Sequence, residues 1–211
     1  MSGVFVVFEG GDGVGKSTQA ALLTEWLETH GREVVRTFEP GDTAVGRDIR
    51  RILLDPATGE LSPRAEALLY CADKAHHVDH LVLPALERGA VVVSDRYVDS
   101  TLAYQGAGRA LDGDDLERLC RWATSGLVPD LTVLLDLDPA SGVGAIEAKD
   151  RLEAAGDDFH GRVRQGFLDL AVRDPDRYLV LPARRPVAEL AAAVRERVAP
   201  LLSDAAGRMT T

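Results

Sequence analysis

The sequence predicts an α/β fold in which one five-stranded parallel sheet carries helices on both faces. Short β-branched or apolar runs alternate with longer segments of helical period, the pattern of strands joined by crossover helices. A glycine-rich loop, Gly10–Ser17, stands between the first apolar run and the first helical segment, as in a parallel strand-to-helix connection. With 211 residues, 45% of them hydrophobic and 27% charged, the chain has the length and the apolar content for one complete α/β domain.

Strands are expected at Val4–Glu9, Glu33–Thr37, Ala90–Asp95, Leu131–Asp136 and Tyr178–Leu181. Helices are expected at Lys16–His30, Val45–Leu54, Pro63–His80, Leu83–Arg88, Asp115–Ser125, Phe159–Arg173 and Val187–Leu202. Gly31 reads as the glycine just past the end of the first helix, and Ser62-Pro63 as a cap followed by a first-turn proline. The segment 140–157 is less regular: three glycines surround a mixed-charge centre. Lying just past a strand end, it is placed to cover a site at the carboxyl edge of the sheet as a lid. No repeat or linker divides residues 1–202, so a single domain is expected, followed by a frayed tail at 203–211.

The formal charge of −10, from 24 basic and 34 acidic residues, argues against a nucleic-acid or anionic-membrane surface. A bound polyanion must then be held locally. Asparagine is absent, which excludes N-glycosylation, a protein-kinase catalytic loop and the Asn-Lys-x-Asp guanine reader of GTPases. Cys71 and Cys120 are too few for a disulfide framework and read as reduced core residues. No stretch is long and apolar enough to span a membrane or to serve as a signal peptide, so a cytoplasmic protein is expected. Trp26 and Trp122 read as helix packing residues. His76, His77 and His80 read as a polar helix face, because the His76/His80 pair, though spaced like zinc ligands, has no third ligand in view.

Gly10-Gly11-Asp12-Gly13-Val14-Gly15-Lys16-Ser17, followed by Thr18, fits the phosphate-loop pattern G-x-x-x-x-G-K-[ST] in its required strand-loop-helix setting. Backbone N–H groups and the helix N-terminus face phosphate oxygens, Lys16 reaches the β- and γ-phosphates, and Ser17 offers a hydroxyl to Mg²⁺. The spacing excludes the dinucleotide fingerprint, since its third glycine would fall on Lys16. The strand ending Ser94-Asp95 continues into Arg96-Tyr97, setting a metal-side carboxylate beside a guanidinium able to grip a second phosphate. Transfer between two phosphorylated or polar substrates follows.

These motifs, with Phe8-Glu9-Gly10, Glu39-Pro40-Gly41, Ile49–Leu54, Ser100–Gly106 and Asp150–Glu153 in order along the chain, resemble bacterial thymidylate kinase. That family belongs to the nucleoside-monophosphate kinases. The resemblance implies a three-layer P-loop kinase fold, Mg·ATP as donor, dTMP as acceptor and a homodimer. It implies that Asp12 meets the deoxyribose, that Arg50 and Arg96 hold the acceptor phosphate, and that Asp95 lies near Mg²⁺. It sets Tyr70 against thymine, Tyr104 where a 2′-hydroxyl would sit, and Thr101 and Gln105 near the base edge. Glu39 falls in the acceptor loop, and Lys74 stands where many relatives carry an arginine that reaches a thymine carbonyl. Phe38 and Asp42 depart from the family, leaving the loop after the second strand less basic. Val14 takes the place of a P-loop arginine, so Arg151 in the lid, with Lys149 as helper, is the candidate for the catalytic cation beside Lys16 and Arg96. Two other readings stand beside this one. One is a deoxynucleoside kinase with Glu39 as base on a sugar hydroxyl, and the other is a nucleotide-binding module without catalysis.

Overall fold

The run Val4–Glu9 forms β1, buried along its whole length at the centre of the sheet. In a computed structural model that describes residues 3–138 and 156–208, with side chains as far as 203, four further strands join it. They are β2 Val34–Phe38, β3 Val91–Asp95, β4 Leu131–Asp136 and β5 Tyr178–Pro182. Every pairing is parallel and the order is β2-β3-β1-β4-β5. The expected five-stranded parallel sheet is therefore present, with strand bounds differing by a residue at some ends.

Helices cover both faces because successive side chains of a strand point to opposite sides. Val4, Val6 and Phe8 pack with Ala20, Leu23 and Leu27 of α1 (Lys16–Thr29) and with Leu190, Val194 and Val198 of α8 (Val187–Arg208). Phe5 and Val7 face the other way, onto Val78, Val82 and Leu86. On that side lie α2 (Ala44–Leu54), α3 (Pro63–His77) and α4 (Leu83–Glu87). They are followed by α5 (Val98–Thr101), α6 (Gly113–Ala123) and α7 (Asp157–Arg173). Capping follows the sequence: Thr43, Ser62 and Asp112 each accept a backbone N–H from the first turn of α2, α3 and α6. Each such cap contributes about 1 kcal/mol.

Several expectations change. The helix expected at Pro63–His80 ends at His77 and runs through a π-helical stretch, Val78–Val82, into α4. The last helix continues to Arg208 rather than stopping at Leu202, so residues 203–208 are helical. A helix at Val98–Thr101, continued by a π-helical stretch at Leu102–Gly108, was not expected at all. Trp122 is 81% exposed, because Leu116, Cys120 and Ala123 form the buried stripe of α6 and Trp122 points away from it. Both cysteines are buried, with Sγ atoms 3.7 Å apart between α3 and α6. Among the described residues no helix is long and apolar enough to cross a membrane. The segment expected to form a lid, with Lys149 and Arg151, falls almost wholly outside the described residues.

Parallel pairing in register brings all the carboxyl ends to one edge. Phe8 and Phe38 both stand opposite Asp95, and Glu9 opposite Leu134. The residues that follow those ends, from Gly10, Glu39 and Arg96 onward, therefore meet although they are far apart in sequence. This edge is where open parallel sheets bind ligands.

Candidate active site

The loop from Gly10 to Thr18 turns sharply out of β1. Gly10 has φ 133°, and an added Cβ there would lie 2.4 Å from the Leu135 carbonyl oxygen, so the close approach to β4 admits only glycine. Gly15 enters α1 with φ 96° and provides no side-chain cap, leaving the first N–H groups of α1 open to an anion. Val14 is buried against the core. Lys16 Nζ donates to the carbonyls of Gly10 at 3.1 Å and Gly11 at 2.5 Å. Burial first, and then the Arg96 charge, bring its pKa down to about 8. A lysine held this way gains from any phosphate placed beside it.

Asp12, Gly13, Gly15, Lys16, Ser17, Thr18, Asp95 and Arg96 line a cavity over this loop. Within it Ser17 Oγ donates to Asp95 Oδ2 at 2.5 Å, bringing a hydroxyl and a carboxylate together from α1 and β3. No group of three metal-ligating side chains occurs among the described residues. One hydroxyl plus one carboxylate suits a hard divalent cation whose other positions are filled by phosphate oxygens and water, the usual habit of Mg²⁺.

A second cavity opens beside the first, lined by Asp12, Glu39, Arg50, Tyr70, Lys74, Arg96, Thr101, Tyr104 and Gln105, with Pro40, Leu54 and Ser100. Every acceptor residue anticipated from the sequence is among them. A third cavity, whose lining includes Ser17, Asp95, Glu39, Arg50 and Arg96, shares residues with each of these two. Arg96 lines all three. Its backbone adopts φ 73°, a left-handed conformation costly for a side-chain-bearing residue. The turn aims the guanidinium back over the P-loop. One nitrogen donates to Gly10 O at 3.2 Å and Ser100 Oγ at 2.9 Å, and the other to Asp12 Oδ1 at 2.5 Å. The guanidinium also lies 5.3 Å from the centre of the Tyr104 ring. Tyr104 Oη donates to Asp12 Oδ2 at 3.2 Å, so Asp12, Arg96 and Tyr104 form one clasp between the two cavities. Burial works to raise the Asp12 pKa, but Arg96 and then Lys16 overcome it and hold the group below its usual value.

A residue that carried no assigned role in the sequence supports this clasp. Glu9, fully buried, accepts from the backbone N–H groups of Tyr97 at 2.8 Å and Ser100 at 3.1 Å, and from Ser100 Oγ at 2.6 Å. Burial, reinforced by Asp99, raises its pKa to about 7. His77 is not on a solvated face. It is 1% exposed, with Nδ1 at 2.7 Å from Glu39 Oε1 and Nε2 at 2.6 Å from Thr37 Oγ1. The spacing Tyr70, Lys74, His77, one face of a helix, is the signal that could have found it. His76 and His80 do stack on the outer face, with ring centres 3.9 Å apart.

Glu39 is clamped by His77 and by Lys74, whose Nζ donates to Oε2 at 2.6 Å. Burial opposes ionisation of Glu39, yet Lys74 and then His77 lower its pKa. The departures Phe38 and Asp42 also find partners. The Phe38 ring lies 5.7 Å from the Arg50 guanidinium, which donates to Pro40 O at 2.7 Å, and Asp42 accepts from Thr37 at 2.6 Å. Thr101 Oγ1 is buried in the second cavity without a hydrogen-bond partner, a donor and acceptor suited to a ligand.

Residues 8–194 match a family model described as thymidylate kinase. The chain is 64% identical over 203 residues to a protein named thymidylate kinase from Cutibacterium acnes, covering 96% of this chain and 100% of that one. It is 57% identical over 210 residues to a protein of the same name from Clavibacter michiganensis, covering 98% and 99%. A crystal structure of thymidylate kinase from Ehrlichia chaffeensis superposes with a TM-score of 0.77 at 31% identity, over 92% of this chain and 96% of that one.

Proposed function

The chain belongs to the thymidylate kinase family, and on that premise we propose how its two facing cavities carry out the reaction that phosphorylates dTMP with ATP, giving dTDP and ADP. The P-loop cavity takes the triphosphate, and the cavity of Tyr70, Thr101, Tyr104 and Gln105 takes the nucleoside monophosphate. The observation that carries this assignment is Arg96, which lines both cavities and is held between them by Asp12, Gly10 and Ser100.

Lys16 and the N-terminus of α1 hold the β- and γ-phosphates, while Arg50 and Arg96 hold the acceptor phosphate in line with them. Ser17 and Asp95 are the residues that would hold Mg²⁺, directly or through water; when bound, the ion neutralises the phosphate oxygens that it touches. A monophosphate has a second pKa of about 6 and is already an anionic nucleophile at neutral pH, so no general base is required. Catalysis consists of alignment and of cations that meet the charge on the transferring group. Tyr70 stacks on the base, Asp12 meets the deoxyribose, and Tyr104 closes the sugar side. Thr101, Gln105 and Lys74 face the base edge, while Glu39, clamped by Lys74 and His77, fixes the position of Lys74.

The deoxynucleoside-kinase reading is not favoured. A base needs an available lone pair and a pKa near the working pH, whereas Glu39 is 3% exposed, bound to Lys74 and His77, and lowered in pKa. ADP release with thymidine, dTMP, dUMP and ribo-TMP under Mg·ATP tests the assignment. Turnover is expected with dTMP and not thymidine, and the opposite result overturns it. Preference for dTMP over ribo-TMP is expected through Tyr104, and equal kcat/KM for the two would remove that role.

Arg151 is proposed as the lid cation that follows the transferring phosphoryl. Arg151→Ala is expected to lower kcat far more than it raises either KM, because the contact tightens in the transition state. A change confined to KM would refute it. A cytoplasmic homodimer is the assembly proposed from the family resemblance, with light scattering as its check.

A further inference from the structure

Glu66 has no part in the reaction as assigned above, yet it is the charged group that sits behind the acceptor cavity. It lies on α3, is fully buried, and accepts from Gln105 Nε2 at 3.0 Å. Arg109 supplies its counter-charge, with Nε at 3.3 Å and Nη2 at 3.5 Å, and the Arg109 guanidinium is itself seated over the Phe159 ring at 5.1 Å. Gln105 is 1% exposed and alone among the described residues lining the cavity carries an amide side chain, a donor and an acceptor side by side in one plane.

We propose that Glu66 is a positioning residue that fixes which end of the Gln105 amide meets the base, and so sets the preference for thymine over cytosine. The inference rests on the reading that this cavity holds the base of the acceptor. A carboxylate only accepts hydrogen bonds, so the amide nitrogen of Gln105 must face it. Turning the amide over would set Oε1 against a carboxylate oxygen, with no hydrogen between them, inside a buried site. Gln105 therefore meets the base with its carbonyl oxygen and remaining N–H in a fixed order.

That order matters because the two pyrimidine edges are complementary in the opposite sense. Thymine presents N3–H as donor beside the acceptor O4, whereas cytosine presents N3 as acceptor beside the donor N4–H₂. An amide free to turn over reads either, and an amide pinned by Glu66 reads one. Lys74, anchored on Glu39, adds a donor that favours a carbonyl over an amino group on the same edge. The mispaired edge leaves buried polar groups unsatisfied, which is how a binding site rejects an analogue of nearly the same shape.

Glu66→Gln is the test, since it keeps volume and polarity but can donate as well as accept. The readout is kcat/KM for dTMP and for dCMP with Mg·ATP. The variant should lose about tenfold or more in the dTMP-to-dCMP ratio, mostly through the KM for dTMP, while the KM for ATP stays put. In a Gln105→Leu background the same substitution should change the ratio no further, because Glu66 acts through Gln105. An unchanged ratio in Glu66→Gln overturns the inference, as does an equal further loss in the Gln105→Leu background. Absence of dTMP turnover in the wild-type protein would instead remove the functional reading beneath it. If Glu66→Gln does not fold, the Gln105 side-chain NH₂ signals of the wild-type protein, assigned by their absence in Gln105→Leu, decide the matter. One slowly exchanging proton supports the lock, and two rapidly exchanging protons overturn it.

Discussion

Arg96 shows how much the tertiary structure adds to one side chain. Its place after Asp95 at a strand end already marks it as a phosphate ligand, but its left-handed backbone and its three partners are visible only in the fold. The conformation is held from outside. Arg96 N–H donates to Phe8 O at 2.9 Å, and Glu9 takes the N–H groups of Tyr97 and Ser100 on the following turn. Replacing Arg96 by lysine keeps the charge and loses the planar fork that spans Asp12, Ser100 and the acceptor phosphate. Arg96→Lys is expected to lower kcat/KM for dTMP on the order of a hundredfold, as measured by steady-state ADP release. Retention of wild-type kcat/KM would place the acceptor phosphate elsewhere.

At the scale of elements, the informative piece is the helical run from Val98 to Gly108, which carries Ser100, Thr101, Tyr104 and Gln105 into the acceptor cavity. Its sequence does not announce a helix. Two glycines and two β-branched residues lower its propensity, and its first-turn N–H groups have no local cap. Glu9 supplies that cap from the end of β1, on the other side of Arg96. Gly108 has a packing reason: an added Cβ there would lie 2.6 Å from Phe159 Cε2 and 3.1 Å from Val163 Cγ2 on α7. An added Cβ at Gly166 on α7 would lie 2.9 Å from Ala107 Cβ, so the two elements approach through missing side chains. Gly108→Ala is expected to cost about 1–3 kcal/mol through overpacking. In thermal melting this is about 2–4 °C per kcal/mol for a chain of this size. An unchanged Tm would show that Phe159 repacks freely.

Across the whole molecule, a chain of net charge −10 must concentrate cations at one sheet edge, and Lys16, Arg50 and Arg96 belong to that concentration. The same edge stores a buried acid. With the Glu9 pKa raised to about 7 in the folded protein, the folded state holds a proton that the unfolded chain releases near the ordinary carboxylate value. The stability it contributes is full below the unfolded pKa and is lost as pH rises through about 7. Asp73, raised to about 6 by burial and then by Glu39, acts with the same sign. Glu9→Gln is therefore expected to gain on the wild type as pH rises from about 5 to about 8, read from denaturant midpoints of both proteins. A difference between them that does not change with pH would show that Glu9 is ionised throughout.

The five strands, the phosphate loop from Gly10 to Ser17 and the succession of Asp95 and Arg96 at a strand end were legible in the amino-acid order alone. Each depends on local backbone chemistry or on a periodicity that a short window contains. That order also named, through resemblance, the residues that line the acceptor cavity. What holds them became visible with the fold: the Glu9 cap, the clamp of Lys74 and His77 on Glu39, and the Glu66 carboxylate behind Gln105. These are long-range partnerships between buried polar groups. A buried charge needs a partner wherever the fold brings one, and no spacing along the chain records that meeting.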